Sequence, residues 1–333
     1  MKWRNSTPST PLDGVDVVLA DLDGVVYTGA NAIPHAVDAL NAAAASGIRV
    51  GYITNNASRT DAAVAGQLSG FGLKVKPADV VTSPQAAMTL LKDTVAAGSQ
   101  ILVVGGEGLT SEVEKAGYSV TRAASDNPAA VVQGFAPTVA WTDLAQAAFA
   151  LHRGIPWIAT NTDWTIPVAE GIAPGNGTLV SAVHTAVGIL PVVAGKPETP
   201  IFEEAVRRFN AETPLFIGDR LDTDILGARR AGIPSVLVLT GIDRAKQLLA
   251  ADANSRPDFI VSDLRQLSEP YPQPQLKKDS VRVGDSEVAL RSNKVTIEKR
   301  GTSEIDLLRA ACAVIWNSGL AIYALEVPET LYQ

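Results

Sequence analysis

Two aspartates one residue apart, Asp21 and Asp23, close a short apolar run, Val17-Val18-Leu19-Ala20, and lead into Gly24. Carboxylates at i and i+2 leaving a strand project roughly the same way, making an anionic spot that invites a hard divalent cation with oxygen ligands. Three complementary groups follow. Thr54-Asn55-Asn56 offers a hydroxyl and backbone N–H groups able to hold a phosphoryl oxygen, Lys196 offers a cation, and Asp219 with Asp222 and Asp224 offers further carboxylates. Acids for a metal and a nucleophile, with donors for an oxyanion, point to metal-assisted phosphoryl chemistry.

Each group alone has a plainer reading. Asp21 to Gly24 can be an ordinary turn, since Asp and Gly dominate turns. It is a poor helix cap, because Val25-Val26-Tyr27 favours extended structure. An EF-hand loop fails, because the glycine comes too early and Ala32 stands where the bidentate glutamate belongs. Asn55, Asn56 and Ser58 can merely shape a turn and cap the helix after it. Lys196 can be a solvated surface charge, and acids opening a helix can be dipole partners.

The elements that must position these groups read as alternating strands and helices. Four consecutive apolar residues at 17–20 suit a central strand covered on both faces, and ligands in such sheets bind at the carboxyl ends of the strands. Pro34 opens an Ala-rich helix, His35 to Ser46, that Gly47 ends, and Ile48 to Ile53 completes a βαβ unit. From Ser83-Pro84 a second series begins: a helix to about Val95, a strand Ile101 to Val104, and a helix to about Ala116. Gly106-Glu107-Gly108-Leu109-Thr110-Ser111 lacks the third glycine of a dinucleotide fingerprint and the Lys-Ser/Thr end of a P-loop. Val131 to Phe135 and Ile155 to Thr160 read as strands flanking a helix, Thr142 to Arg153. A long turn-rich loop then runs through Asn161-Thr162-Asp163-Trp164 to Pro174-Gly175-Asn176-Gly177, more in keeping with a binding loop than with filler. Glu198-Thr199-Pro200 opens a helix to about Phe209. Leu215 to Gly218 is a strand ending at Asp219, Asp222 to Asp224 starts a helix ending near Gly232, and Ile233 to Leu239 and Phe259 to Val261 are the last strands of the sheet.

Composition bounds the alternatives. A chain of 333 residues with 46% hydrophobic and 19% charged residues is an ordinary soluble globular protein, long enough for two domains or more. Its net charge of −7 argues against a nucleic-acid partner. The single cysteine, Cys312, shares a helical face with Ile305, Leu308 and Ile315 and reads as core, so there is no disulfide framework. Met1-Lys2-Trp3-Arg4-Asn5 is not followed by an apolar signal core, and no run approaches the roughly 18 apolar residues of a membrane span. A reducing cytoplasm fits best, with no membrane insertion. His35, His152 and His184 do not cluster by spacing, and nothing in the sequence sets the oligomeric state.

Taken together and in this order, Asp21-Leu22-Asp23-Gly24, Thr54-Asn55-Asn56, Lys196-Pro197 and Gly218-Asp219 with Asp222 and Asp224 resemble the four motifs of the haloacid-dehalogenase-like (HAD) hydrolases. The resemblance covers about residues 14 to 268. It implies an α/β fold, a Rossmann-like doubly wound parallel sheet core with an inserted α/β cap domain and a small α+β C-terminal unit. The implied division is residues 1–82 and 191–269 for the core, 83–190 for the cap, 270–275 for a Pro-rich linker and 276–333 for the C-terminal unit. The insert between the second and third motifs resembles the type II cap of subfamily IIA, the branch containing nucleotide, p-nitrophenyl-phosphate and glycerol-phosphate phosphatases.

The family's mechanism implies that Asp21 is the nucleophile and forms an aspartyl-phosphate, and that Asp23 is the general acid and base. Mg2+ is then the implied cofactor, held by Asp21, the main-chain carbonyl of Asp23 and Asp219, with Asp224 or Asp222 in support. Thr54, Asn55, Asn56 and Lys196 bind the phosphoryl oxygens, the lysine also holding Asp21. Dehalogenase relatives lack the acid two residues after the nucleophile, so Asp23 argues against them. A non-catalytic regulatory protein on the same fold is the alternative of a different class. The implied partner is a small phosphomonoester, glycerol 3-phosphate first, with Asn161, Thr162, Asp163 and Asn176 offering hydrogen bonds from the cap. Trp164 leaves a nucleotide base or pyridoxal open.

Glu269-Pro270-Tyr271-Pro272-Gln273-Pro274 reads as a stiff connector. Beyond it, Val281 to Val283, Glu287 to Arg291 and Lys294 to Lys299 alternate like antiparallel strands, Ser303 to Asn317 as an amphipathic helix and Leu320 to Val327 as a final strand. So short a unit makes a marginal core and is expected to dock on the main body. It resembles a fragment of the acetyltransferase (GNAT) fold without a Gly-rich pyrophosphate loop, hence an appendage rather than a second catalyst. A chain cut after Gln275 keeps all four motifs and is expected to keep its chemistry.

Overall fold

The computed structural model describes residues 9–168 and 170–333. The N-terminal stretch Met1 to Asn5, examined above for a signal core, lies outside them. Contacts divide the chain into two compact units, residues 1–50 with 212–333, and residues 51–211.

The first unit opens with β1 (Val17–Ala20), all four side chains buried, as a strand covered on both faces requires. A small hairpin, β2 (Tyr27–Thr28) and β3 (Asn31–Ala32), precedes helix α1 (Ala36–Ala45), which Gly47 ends at φ 93°. The second unit takes in most of β4 (Arg49–Thr54), then α2 (Asp61–Gly70), β5 (Val80–Thr82) and α3 (Ser83–Lys92). It continues through β6 (Gln100–Val104), α4 (Glu107–Lys115), β7 (Ser119–Thr121), β8 (Ala130–Gln133), α5 (Trp141–Leu151) and β9 (Trp157–Ala159). A hairpin of β10 (Thr165–Val168) and β11 (Gly171–Pro174), then α6 (Asn176–Val187), β12 (Val192–Val193) and α7 (Pro200–Phe209), complete it. In this unit β5 pairs in parallel with β4, and a separate parallel sheet has the order β12-β9-β8-β6-β7.

The chain returns to the first unit with β13 (Pro214–Gly218), α8 (Leu226–Arg230), β14 (Ser235–Val238), α9 (Ala245–Leu249) and β15 (Phe259–Val261). With β1 these strands run in parallel in the order β15-β14-β13-β1. The result is the expected α/β architecture, a Rossmann-like parallel core with additional α/β elements. The tail forms an antiparallel sheet, β16 (Gln275–Leu276), β17 (Ser280–Val283), β18 (Ser286–Arg291) and β19 (Lys294–Lys299), followed by α10 (Glu304–Asn317).

The tail shares one apolar cluster with the parallel core: Val283, Val288, Leu308 and Ile315 pack with Leu221, Ile225, Leu237, Leu248 and Ile260. Buried Arg309 of α10 fixes the junction. Its Nε and Nη2 donate to Ile260 O at 2.9 and 2.6 Å, its Nη1 to Asp306 at 2.7 Å, and its guanidinium lies 4.2 Å from the Tyr271 ring centroid. Cys312 is fully buried, and burial pushes its thiol pKa up, so it is core and not a nucleophile.

Four expectations are corrected. Thr60, not Ser58, caps α2, its hydroxyl accepting from Ala63 N at 3.2 Å, because Ser58 Oγ donates to Phe135 O instead. The turn-rich segment after Asn161 contains the β10–β11 hairpin, which Pro167 and Pro174 disguise, and Asn176 begins a helix. Asp222 and Asp224 sit in a wide turn, with Ile225 N bonding back to Arg220 O, before α8 begins. Leu320 to Val327 is not a strand. It touches β19 through a lone bridge at Glu326, while Ile322, Leu325 and Val327 turn onto the shared cluster.

Candidate active site

In the first unit the loop after β1 is organised by two main-chain groups. Asp21 N–H extends the parallel ladder by donating to Ile217 O at 2.8 Å, which presents its buried side chain beyond the end of β1. Leu22 O then accepts from the N–H groups of Val26 and Tyr27, so the chain coils once before β2. Asp23 is exposed and receives the Tyr27 hydroxyl at 3.4 Å. Gly24 stands at φ 80°, and a Cβ there would lie 2.3 Å from Asp219 Oδ2, so both backbone conformation and space demand glycine.

Asp219 follows β13 and is almost fully buried. Its Oδ2 accepts from Ile242 N at 2.6 Å, and a Cβ at Gly241 would come within 1.9 Å of that oxygen. Asp224, fully buried, takes the N–H groups of Asp219 and Arg220 on its Oδ2 at 3.1 and 3.2 Å. Asp21, Asp219 and Asp224 each offer an oxygen, all within 4.8 Å of one another. Three buried carboxylates this close repel one another unless a cation joins them, and an all-oxygen anionic donor set suits Mg2+. The alternative left open by the sequence is decided here. Asp222 is exposed and paired with Arg220 at 2.8 Å, so Asp224 is the third carboxylate. Neighbouring Asp243 registers the same negative field: burial raises its carboxyl pKa, and Asp222 and Asp224 add to the rise against the opposing Leu221 N–H bond and Arg220.

In the second unit the predicted phosphoryl-binding residues form a hydrogen-bonded chain. Asn55 clasps the Lys196 main chain from both sides, Oδ1 accepting its N–H at 2.8 Å and Nδ2 donating to its O at 3.0 Å. Asn55 Nδ2 also faces both Asp163 carboxylate oxygens, at 3.3 and 3.2 Å. Asn55 O receives Ser83 Oγ at 2.8 Å and Asn161 Nδ2 at 2.7 Å, and Asn161 O receives Asn176 Nδ2 at 2.7 Å. Lys196 is buried and its bond to Pro197 is cis. Gly195 is obligatory, since a Cβ would meet Thr160 O at 2.4 Å and Asn55 Oδ1 at 2.5 Å. Thr54, buried at the end of β4, accepts Asn56 N–H on its hydroxyl at 3.1 Å, which keeps the hydroxyl proton for an anionic oxygen.

Asn56 departs from the expectation of a phosphate ligand. Its N–H is given to Thr54, and its Oδ1 accepts from Ser58 N and Arg59 N at 3.0 and 3.1 Å, so it shapes the turn that presents Asn55. Asn161 and Asn176 are buried with their amide groups on main-chain carbonyls, while Thr162 and Asp163 are partly exposed. Sequence reasoning missed Thr240, Gly241 and Ile242. Thr240 Oγ1 donates to Gly24 O at 2.7 Å and Ile242 N holds Asp219. A Thr-Gly pair directly after a buried strand is the signal that marks them.

Gly241→Ala is expected to weaken Mg2+ binding by about 10- to 100-fold, because the new methyl must displace the Asp219 carboxylate. A Mg2+ titration of the variant's thermal shift that matches the wild type contradicts this role for the 240–242 loop.

The haloacid dehalogenase-like hydrolase family model matches residues 18–119, and a HAD-hydrolase-like model matches residues 193–267. The chain is 39% identical over 313 residues to D-glycerol 3-phosphate phosphatase of Mycobacterium tuberculosis, covering 92% of this chain and 87% of that protein. It is 31% identical over 248 residues to a 5'-nucleotidase of Bacillus subtilis, covering 74% and 94%. A crystal structure of a glycerol phosphate phosphatase from Mycobacterium tuberculosis in complex with magnesium superposes with a TM-score of 0.83 at 38% identity, covering 92% of each chain.

Proposed function

The chain belongs to the haloacid dehalogenase-like hydrolases, and from that premise we propose that it is a Mg2+-dependent phosphomonoesterase that hydrolyses glycerol 3-phosphate to glycerol and phosphate. The observation that carries the chemistry is the buried convergence of Asp21, Asp219 and Asp224. The substrate is supported by the 92% span of similarity to D-glycerol 3-phosphate phosphatase, which necessarily reaches into the tail.

Mg2+ would be held by Asp21, Asp219, Asp224 and the main-chain carbonyl of Asp23, and supplies the positive charge that lets an anionic nucleophile meet an anionic phosphate. An Asp21 carboxylate oxygen attacks phosphorus as the bond to the glycerol oxygen breaks, leaving an aspartyl-phosphate. Asp23 gives its proton to the departing alkoxide. Now a carboxylate, it takes a proton from water as that water attacks phosphorus and the bond to Asp21 breaks, which restores both residues. The Thr54 hydroxyl, the Asn55 main-chain N–H and the Lys196 ammonium bind the phosphoryl oxygens. Asn55 gives Lys196 its place through the two bonds to the lysine main chain.

The functional division we favour is a core of residues 1–82 and 191–269, a type II cap of subfamily IIA at 83–190, a linker at 270–275 and a GNAT-like C-terminal unit at 276–333. In the cap, Thr162 and Asp163 are the polar groups with exposure enough to meet a polyol, and Asn161 and Asn176 position them. No helix among the described residues is long and apolar enough to cross a membrane. With a single buried cysteine, the chain is suited to a reducing cytoplasm. A second reading, a nucleotide substrate, is favoured by the Trp164 ring, 66% exposed and free of core duties, on which a base can stack.

Comparing kcat/KM with Mg2+ for glycerol 3-phosphate, nucleoside monophosphates, pyridoxal phosphate and phosphoglycolate tests the substrate. A preference of about tenfold or more for a nucleotide or pyridoxal phosphate overturns glycerol 3-phosphate and leaves the phosphatase standing. For Asp23→Asn, the expected loss is about 10²- to 10⁴-fold on alkyl phosphates and much smaller on p-nitrophenyl phosphate, whose leaving group needs no proton. Equal losses on both esters would exclude the acid role.

A further inference from the structure

Apart from the carboxylate set, the first unit carries a cleft of about 690 Å³ that the hydrolytic scheme does not use. It lies just past the carboxyl ends of β14 and β15, where open parallel sheets take ligands, and its size is that of a small-molecule site. Its walls are the β2–β3 hairpin with the start of α1, including Thr28 and His35, and the segments after β14 and β15, including Thr240, Arg244, Asp263 and Arg265.

The charges of the lining do not cancel. Arg265 and Asp263 neutralise each other in a two-point pair, at 3.0 and 2.7 Å. Arg244 pairs with no carboxylate among the described residues, and its guanidinium reaches only the carbonyls of Leu239 and Thr240. A guanidinium lodged on neutral carbonyls keeps its full charge and further donors for an oxyanion. His35 reaches the rim in a left-handed conformation, φ 68°, and makes no capping bond to α1. For a residue other than glycine that conformation costs about 1–2 kcal/mol, and such outliers gather at ligand sites.

The cleft also borders the catalytic apparatus through the chain itself. Thr240 lines it and donates to Gly24 O, while Ile242, two residues on, holds Asp219 Oδ2. Thr28 lies on the hairpin that leaves Asp23. An occupant drawn to Arg244 therefore bears on the segment that fixes a metal-binding carboxylate and on the hairpin that follows the general acid.

We propose that this cleft binds a small metabolite carrying a carboxylate or phosphate group, separate from the substrate, and that its occupancy alters turnover. The test uses the full chain and two probes, malonate for the carboxylate and methylphosphonate for the phosphate. His35, one of three histidines, reports occupancy directly through its imidazole C–H resonance, assigned by its disappearance in His35→Gln. With Mg2+ absent and the protein therefore inactive, one probe is expected to shift that resonance saturably in the millimolar range, and Arg244→Gln to abolish the shift. In the active enzyme at saturating glycerol 3-phosphate, the same probe is expected to change kcat about fivefold, an effect competition at the active site cannot produce. Arg265→Gln, which unpairs Asp263 and places its charge in the cleft, is expected to weaken the probe while leaving basal kcat unchanged. No movement of the His35 resonance with either probe overturns the site. A shift with kcat unaltered overturns the coupling to turnover. Because the resonance is read without catalysis, neither outcome depends on the substrate assignment.

Discussion

Asp21→Asn is expected to reduce phosphate release by at least about 10⁴-fold while the chain remains folded. An amide oxygen is a poor nucleophile toward phosphorus, and the substitution also removes one of the three charges gathered at the cation site. The two effects separate by stability. Without Mg2+, the wild-type chain holds three buried carboxylates with oxygens within 4.8 Å, so deleting one charge relieves repulsion and Asp21→Asn should melt higher than wild type in EDTA. With Mg2+, the wild type gains the binding free energy and the variant gains less, so the order narrows or reverses. Thermal melts in EDTA and in Mg2+, paired with turnover, read both. A variant that melts lower than wild type in EDTA would show that Asp21 is not part of the repelling set. Substantial residual turnover would exclude the covalent scheme.

What could be read in advance followed from how much of each signal was local. A buried run ending in acids announces itself in a few residues, so Asp21, Asp219 and the strands that carry them were visible from the sequence, as were α1, α3 and α10 with their caps. The choice between Asp222 and Asp224 was not. Both stand in one wide turn, and only the approach of Gly218, where a Cβ would lie 2.3 Å from Asp224 Cβ, shows which one faces inward. The clasp of Asn55 on Lys196 joins residues 141 apart, and no local pattern records it. Likewise Asn56 looked as good an anion ligand as Asn55 until its N–H was seen to be taken by Thr54. The β10–β11 hairpin was lost because its prolines argue against a strand, a rule that holds for sheet interiors and fails for an isolated two-stranded ribbon.

Cutting the chain after Gln275 is expected to remove soluble, folded protein, and the chemistry with it, in contrast to what the separateness of the four motifs suggests. The tail completes the core of the first unit. Val283, Val288, Leu308, Ile315 and their neighbours cover Leu221, Ile225, Leu237, Leu248, Leu249 and Ile260. Uncovering six large apolar side chains at about 1.5–3 kcal/mol each gives on the order of 10 kcal/mol as an upper estimate, against a typical total stability of about 5–15. Leu221 and Ile225 also flank Asp222 and Asp224 in the wide turn, so the packing that is lost lies directly beneath a metal-binding carboxylate. The cut opens an edge as well. β15 is the outer strand of its sheet, and Ile260 has its N–H on Tyr271 Oη at 3.0 Å and its carbonyl on Arg309. Truncation keeps the first bond and deletes the second, which exposes an unpaired strand edge beside apolar surface. Arg309→Met is the graded test, since it keeps the tail and much of the side-chain volume but frees Ile260 O and leaves Asp306 without its partner. A loss of about 2–4 kcal/mol is expected from denaturant unfolding, with kcat retained under conditions where the chain is folded. A truncated chain that is monomeric, cooperative in unfolding and active with Mg2+ would show that the parallel core stands without its tail.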